Sequence, residues 1–189
     1  MLTGVFVSNN VPVDPTNEDR AAALSILPSE NRPSMNKAER GFDKEVALIR
    51  KVQDAVLSVA PDDKGIELGR PREVGDLLGL GYGLCYDRSR AIEKILKMYG
   101  MATRHAAIYS TAETGSALVS LMTPQVPSHA VSEVLTSRGW MVVDSNSRWI
   151  GLTSDGTPVA LDELSKRKGM GSWAFVERSP SIFMGEFTW

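Results

Sequence analysis

Gly79-Leu80-Gly81-Tyr82-Gly83-Leu84-Cys85-Tyr86-Asp87 is the stretch on which the fold of this chain turns. A glycine-rich stretch leads into Cys85. From Cys85 onward the pattern changes. Ala91, Ile92, Ile95, Leu96 and Tyr99 recur at three- and four-residue steps, and Gly100 supplies a C-terminal stop. A helix over 85–99 is therefore expected, with Cys85 in its first turn. Its apolar content suits the centre of a domain better than the surface. A thiol at that point feels the positive end of the helix dipole and the unpaired backbone N–H groups. Cysteines placed this way ionise between ~3.5 and ~7.5 rather than at ~8.5. Asp87 is expected to stabilise the helix start, while its charge modestly opposes thiolate formation. Cys85 is the sole cysteine. Its reading as a nucleophile competes with the ordinary reading of a small buried apolar side chain.

Downstream the period shortens to two. Strands are expected over 102–110, 128–136 and 140–144, with a further one over 149–153. His129, Val131, Glu133 and Leu135 share one face of their strand; Trp140, Val142 and Asp144 share one face of the next. Joined by an even-length hairpin loop, these strands bring His129 and Asp144 to the same face. A loop at Thr136-Ser137 sets them directly opposite, and one at Ser137-Arg138 sets them diagonally. An odd loop without a bulge separates them. His105, on the preceding strand, is the rival imidazole. Asp144 can also be read as the opening of a turn with Ser145 and Asn146, and Arg104 as the partner of an acid or an exposed cation.

Cysteine, imidazole and carboxylate in this order suit acyl transfer. Cys85 attacks an acyl carbon, His129 pairs with the thiolate and later protonates the leaving group, and Asp144 orients the imidazole. The Cys85 backbone N–H is a natural oxyanion donor. Tyr82 and Gln53 are weak candidates for the second donor or a substrate contact. Two histidines and one cysteine cannot furnish a four-ligand zinc site of cysteines and histidines, and the chemistry requires no cofactor. The glycine stretch lacks the G-x-G-x-x-G spacing and a preceding strand, so a dinucleotide loop is disfavoured. Asp144-Ser145-Asn146 lacks the glycine and terminal glutamate of a calcium loop.

Three stretches resemble the transglutaminase-like superfamily of papain-like cysteine enzymes, over roughly residues 79–156. Gly83-Leu84-Cys85-Tyr86-Asp87 is similar to its Gly-x-Cys-x-acid motif. Gly100-Met101-Ala102-Thr103-Arg104 is similar to its helix end and arginine-bearing strand. Ser128-His129-Ala130-Val131-Ser132-Glu133-Val134 and Gly139-Trp140-Met141-Val142-Val143-Asp144 resemble its histidine and aspartate strands. Val131 departs from the aromatic residue often found after His-Ala. The resemblance implies an α+β fold with a papain-like core, in which a central helix bearing Cys85 packs on an antiparallel sheet bearing His129 and Asp144. It also implies a thiol protease or amidase acting on a peptide or protein, with protein-glutamine transglutamination or a non-catalytic binding module as alternatives.

Upstream, residues 1–35 read as an irregular arm, broken by Pro12, Pro15, Pro28 and Pro33, with room for a short helix over 18–27. Residues 36–189 read as the catalytic domain. Asn36, with Glu39 as a capping partner, is expected to open a helix whose apolar face is Phe42, Val46, Ile49, Val52, Val56 and Val59, ending before Pro61. Short helices are expected over 71–78 and 161–168, and the aromatic tail from Trp173 to Trp189 is expected to pack. The 189 residues, 42% of them apolar, suit one full-sized core. A net charge of -2, with no long basic or acidic run, argues against a general nucleic-acid binder. No apolar run approaches the ~20 residues of a membrane span. The single cysteine favours a reducing, cytoplasmic setting, with an exported or anchored form that has lost an N-terminal segment as the alternative.

Overall fold

The apolar stripe before Pro61 folds as α2, Phe42–Val59, and buries Leu48, Ile49, Val52 and Val56. In the computed structural model, residues 14–27, 41–67, 69–109 and 127–166 are described, with isolated positions between 115 and 125. The helix does not open at Asn36 as expected. Gly41 is its N-cap, in extended backbone (φ -77°, ψ 163°), and its carbonyl accepts from Lys44 and Glu45 N–H at 3.0 and 3.1 Å. Glycine begins helices far more readily than it continues them. The proposed Asn36–Glu39 cap lies outside the described residues.

The segment read as an arm contributes α1, Asn17–Ile26, to the core. Thr16 and Asp19 cap each other reciprocally, and Ala23 and Leu27 join the same apolar cluster as α2. Asp19 is fully buried. Its carboxylate accepts from Val74 N–H and from Lys94 Nζ, each at 2.9 Å, and Lys94 also pairs with Glu73. A buried charge is tolerated only with such partners, so these contacts fix α1 against its neighbours.

Those neighbours are α3, Val74–Leu80, and α4, Cys85–Met98. Between them the glycine stretch makes a reversal. Gly81 sits at φ +71°, a left-handed conformation suited to glycine. Tyr82 then bridges to Asp62, and Gly83 N–H donates to Asp62 O at 3.1 Å. Gly83 is needed for space as well. A Cβ there would stand 2.4 Å from Leu77 Cδ1 and 3.1 Å from Asp87 Cβ. Leu77 is buried in the core and cannot swing away freely. Gly83→Ala is therefore expected to destabilise the protein by about 1–3 kcal/mol through overpacking. Denaturant unfolding checks this, and a midpoint indistinguishable from wild type would refute the tight approach.

The sheet is antiparallel in the order β1-β2-β3: β1 is Thr103–Tyr109, β2 Ser128–Thr136 and β3 Gly139–Asp144. Thr136 pairs with Gly139, so the hairpin loop is Ser137-Arg138. Glu45 of α2 holds that loop by accepting from both Ser137 N–H (2.7 Å) and Ser137 Oγ (2.8 Å). One sheet face, with Val134, Met141 and Val143, packs on α2 and α4. The other, with Ile108, Val131 and Val142, packs on Trp149, Leu161 and Leu164. The last two belong to α5, Leu161–Lys166. The strand expected over 149–153 is not continuous. It forms bridges at Ile150 and Leu152, because Val142 on the β3 edge accepts from Gly151 but donates to Val159. Two segments thus share one edge. The aromatic tail expected to pack lies outside the described residues. The described chain is α+β, with five helices and a three-stranded antiparallel sheet. Among the described residues no helix is long and apolar enough to cross a membrane.

Candidate active site

The hairpin register decides which side chains meet. Val131 pairs with Asp144 at the last β2–β3 step, which leaves Ala130, His129 and Ser128 running beyond the end of β3. Asp144 N–H donates outward to Trp149 O at 3.1 Å, so this last pair exchanges no backbone bonds and its side chains stand close. His129 lies diagonal to Asp144 on the same face, and His129 Nε2 meets Asp144 Oδ1 at 2.7 Å. This is the diagonal arrangement that a Ser137-Arg138 loop dictates.

That face is not the one on which α4 packs. Ser132 and Val134, one residue out of phase with His129, face α4, and Ser132 Oγ meets Ser89 Oγ at 2.7 Å. Cys85 therefore reaches His129 around the open end of the sheet, where β2 outruns β3. The His129 side chain and the backbone N–H groups of Ala130 and Tyr86 lie near enough to the Cys85 sulfur to favour its ionised form. Ala130 is able to serve the thiol because it lies beyond the last β2–β3 pair; its carbonyl accepts from Ser145 Oγ.

The electrostatics follow from these contacts. Burial pushes the Cys85 thiol up, but the His129 side chain and the two N–H donors outweigh it and hold the thiol below its usual value. Burial likewise disfavours the His129 imidazolium. The Asp144 carboxylate and the Cys85 sulfur oppose it more strongly, and the His129 pKa is raised to about 9. Burial also raises Asp144, yet its bonds with His129, Ser147 Oγ and Asn146 N–H hold it below the usual carboxylate range. The His129 imidazolium is thus stabilised by both anions, and each anion by the imidazolium. Asp144 also opens the turn that its sequence neighbours suggest, since Asn146 N–H donates to its Oδ1 at 3.1 Å.

Gln53, read as a weak oxyanion candidate, is committed elsewhere. Its Nε2 donates to the carbonyls of Asp144 (2.8 Å), Ser147 (3.0 Å) and Trp149 (2.7 Å). It stands in α2 and is almost completely buried, so it anchors the Asp144 turn rather than facing a substrate. Tyr82 sits three residues before the thiol, and Lys64 Nζ lies 4.4 Å from its ring centroid. The rival imidazole, His105, is held apart: its Nδ1 meets Glu93 Oε1 at 2.8 Å and its ring packs edge-on against Tyr86. Arg104 takes the acid-paired alternative, with Nε 2.6 Å from Glu133 Oε2. Asp87 accepts from Leu84 N–H at 3.0 Å and caps α4 as expected.

Sequence reasoning passed over Arg88. It is buried, three residues after Cys85, with donors reaching the carbonyls of Ala60 (2.8 Å) and Asp62 (2.8 Å) and the side chain of Asn146 (2.8 Å). Its only signal in the sequence is a charged residue on the otherwise inward side of a central helix. Among the described residues no group of three or more His, Cys, Asp or Glu side chains is arranged to hold a metal ion. No family model, curated protein or solved structure matches this chain.

Proposed function

We propose that this chain is a cysteine-nucleophile acyl-transfer enzyme with a transglutaminase-like, papain-like core, and that it hydrolyses a peptide or amide bond. One observation carries the reading: the His129 imidazole, bonded to the Asp144 carboxylate at 2.7 Å, lies near enough to the Cys85 sulfur to favour its thiolate. A stabilising cluster has no need to keep a sulfur ionised, whereas a nucleophile does.

In the proposed sequence the Cys85 thiolate attacks the carbonyl carbon and forms a C–S bond. The carbonyl oxygen gains negative charge and takes a hydrogen bond from the Cys85 backbone N–H at the start of α4. The imidazolium of His129 gives its proton to the leaving amine as the C–N bond breaks, leaving a thioester. Water then attacks the thioester with His129 as base, which releases the carboxylic acid and restores the thiolate–imidazolium pair. Asp144 stays ionised throughout and steadies the imidazolium.

The test is incubation with a peptide library, with and without a primary amine, read by mass spectrometry. Hydrolysed peptides in both arms are the expected result. Amine adducts in place of acids would turn the same chemistry toward transglutamination. Neither product, together with a thiol that reacts only above about pH 8.5, would leave a non-catalytic binding module.

A further inference from the structure

Arg88 belongs to the helix that carries Cys85, yet its longest reach is to the turn that carries Asp144. Nε donates to Ala60 O at 2.8 Å, and Nη2 to Asp62 O at 2.8 Å and Pro61 O at 3.4 Å. Those bonds lock the guanidinium onto the segment after α2. Nη1 then donates to Asn146 Oδ1 at 2.8 Å, with Asp63 Oδ1 at 3.3 Å. Asn146 in turn donates its backbone N–H to Asp144 Oδ1, the same oxygen that meets His129 Nε2. The contacts close a ring: Cys85, one turn of α4, Arg88, Asn146, Asp144, His129 and back to the sulfur.

We propose that Arg88, acting through Asn146, is a positioning residue that sets the Asp144 carboxylate, and with it the His129 imidazole, at a fixed place relative to Cys85. The proposal rests on the acyl-transfer reading above. Planar geometry explains the choice of side chain. A guanidinium donates in three directions from one rigid plane and spans the carbonyls and Asn146 at once, which an ammonium on a flexible stem does not. Gln53 fixes the backbone of the same turn from α2, while Arg88 supplies a link that runs directly from the nucleophile's helix.

Asn146→Ala isolates the link. Asn146 is an exposed residue, and removing its side chain leaves the carbonyl anchors of Arg88 in place. With less constraint on the turn, Asp144 holds the imidazolium less well and the thiolate loses part of its partner. The expected result is about tenfold slower alkylation of Cys85 by iodoacetamide near pH 6 and about tenfold lower kcat on a peptide found in the library, with KM little changed. The thermal midpoint should stay close to wild type. Asn146→Asp keeps an oxygen for Nη1 and should recover most of both rates, while Arg88→Lys should follow Asn146→Ala in its alkylation profile. An Asn146→Ala protein that alkylates along the wild-type pH curve overturns the link alone. A wild-type protein whose thiol ionises in the ordinary range overturns the acyl-transfer reading and this proposal with it.

Discussion

Cys85→Ala is expected to lower turnover of any peptide or amide substrate by about 10⁴-fold or more, with the thermal midpoint moved by no more than about 3 °C. The two halves of that expectation have separate causes. Alanine keeps the backbone N–H at the start of α4 and is the best helix former. Cys85 is only partly buried, so little packing is lost. The chemistry, by contrast, has nowhere else to go. Ser145 Oγ is bound to Ala130 O and Ser147 Oγ to the Asp144 carboxylate, so neither hydroxyl is presented in place of the sulfur. Cys85→Ser sharpens the point by keeping an oxygen near the same position. A serine hydroxyl is not ionised by a neighbouring imidazolium as a thiol is, so this variant should also fall to background. Turnover close to wild type in the alanine variant, on a substrate the wild-type protein cleaves, would mean another nucleophile and would end the proposal.

The parts of this site that are local in sequence are legible there. A glycine run followed by a helical apolar period places Cys85 in a first turn, and strand alternation with a two-residue loop places His129 diagonal to Asp144. Both depend on rules that operate over a few residues. What the sequence conceals depends on pairs far apart. Gln53 reaches carbonyls more than 90 positions downstream, and an amide that binds backbone leaves no complementary side chain to recognise. Asp19 and Lys94 lie 75 positions apart, so a polar residue in an apparent arm gives no hint that it is buried. Arg88 and Asn146 meet for the same kind of reason. The onset of α2 at Gly41 shows the limit of local rules too. Gly41 caps that helix in extended backbone without a side-chain bond, a start that neither apolar periodicity nor a polar capping residue marks.

Alternation also hides a feature of the site that bears on its chemistry. Because His129 shares its face with Val131 and not with Ser132, the imidazole lies across the sheet from the body of α4. The proposed meeting of the three depends on β2 continuing past Asp144. Lengthening β3 by one paired step would occupy the backbone of Ala130 that now serves the sulfur. The short third strand is therefore what opens the end of the sheet to Cys85, and the tightly held turn after Asp144 keeps it short.

His129→Ala tests that meeting point directly. It is expected to slow alkylation of Cys85 near pH 6 more than about tenfold, and to lower turnover by about 10²–10⁴-fold. The sign follows from the contacts. In the wild-type protein the imidazolium and the two backbone N–H groups together outweigh burial and favour thiolate; without the imidazolium that balance shifts toward the neutral thiol, so ionisation moves to higher pH. The wild-type profile of kcat/KM should be bell-shaped. It rises as the sulfur loses its proton while His129 keeps its own, since the Cys85 pKa is lowered and that of His129 is raised to about 9. It falls again as pH passes about 9, where His129 gives up the proton that the leaving amine requires. The two limbs belong to the pair rather than to either residue alone. Iodoacetamide, which needs only thiolate and no proton donor, should show the rising limb without the falling one. An alkylation curve that His129→Ala leaves in place would show that the imidazole does not hold the sulfur ionised, and hydrolysis by this route would be excluded.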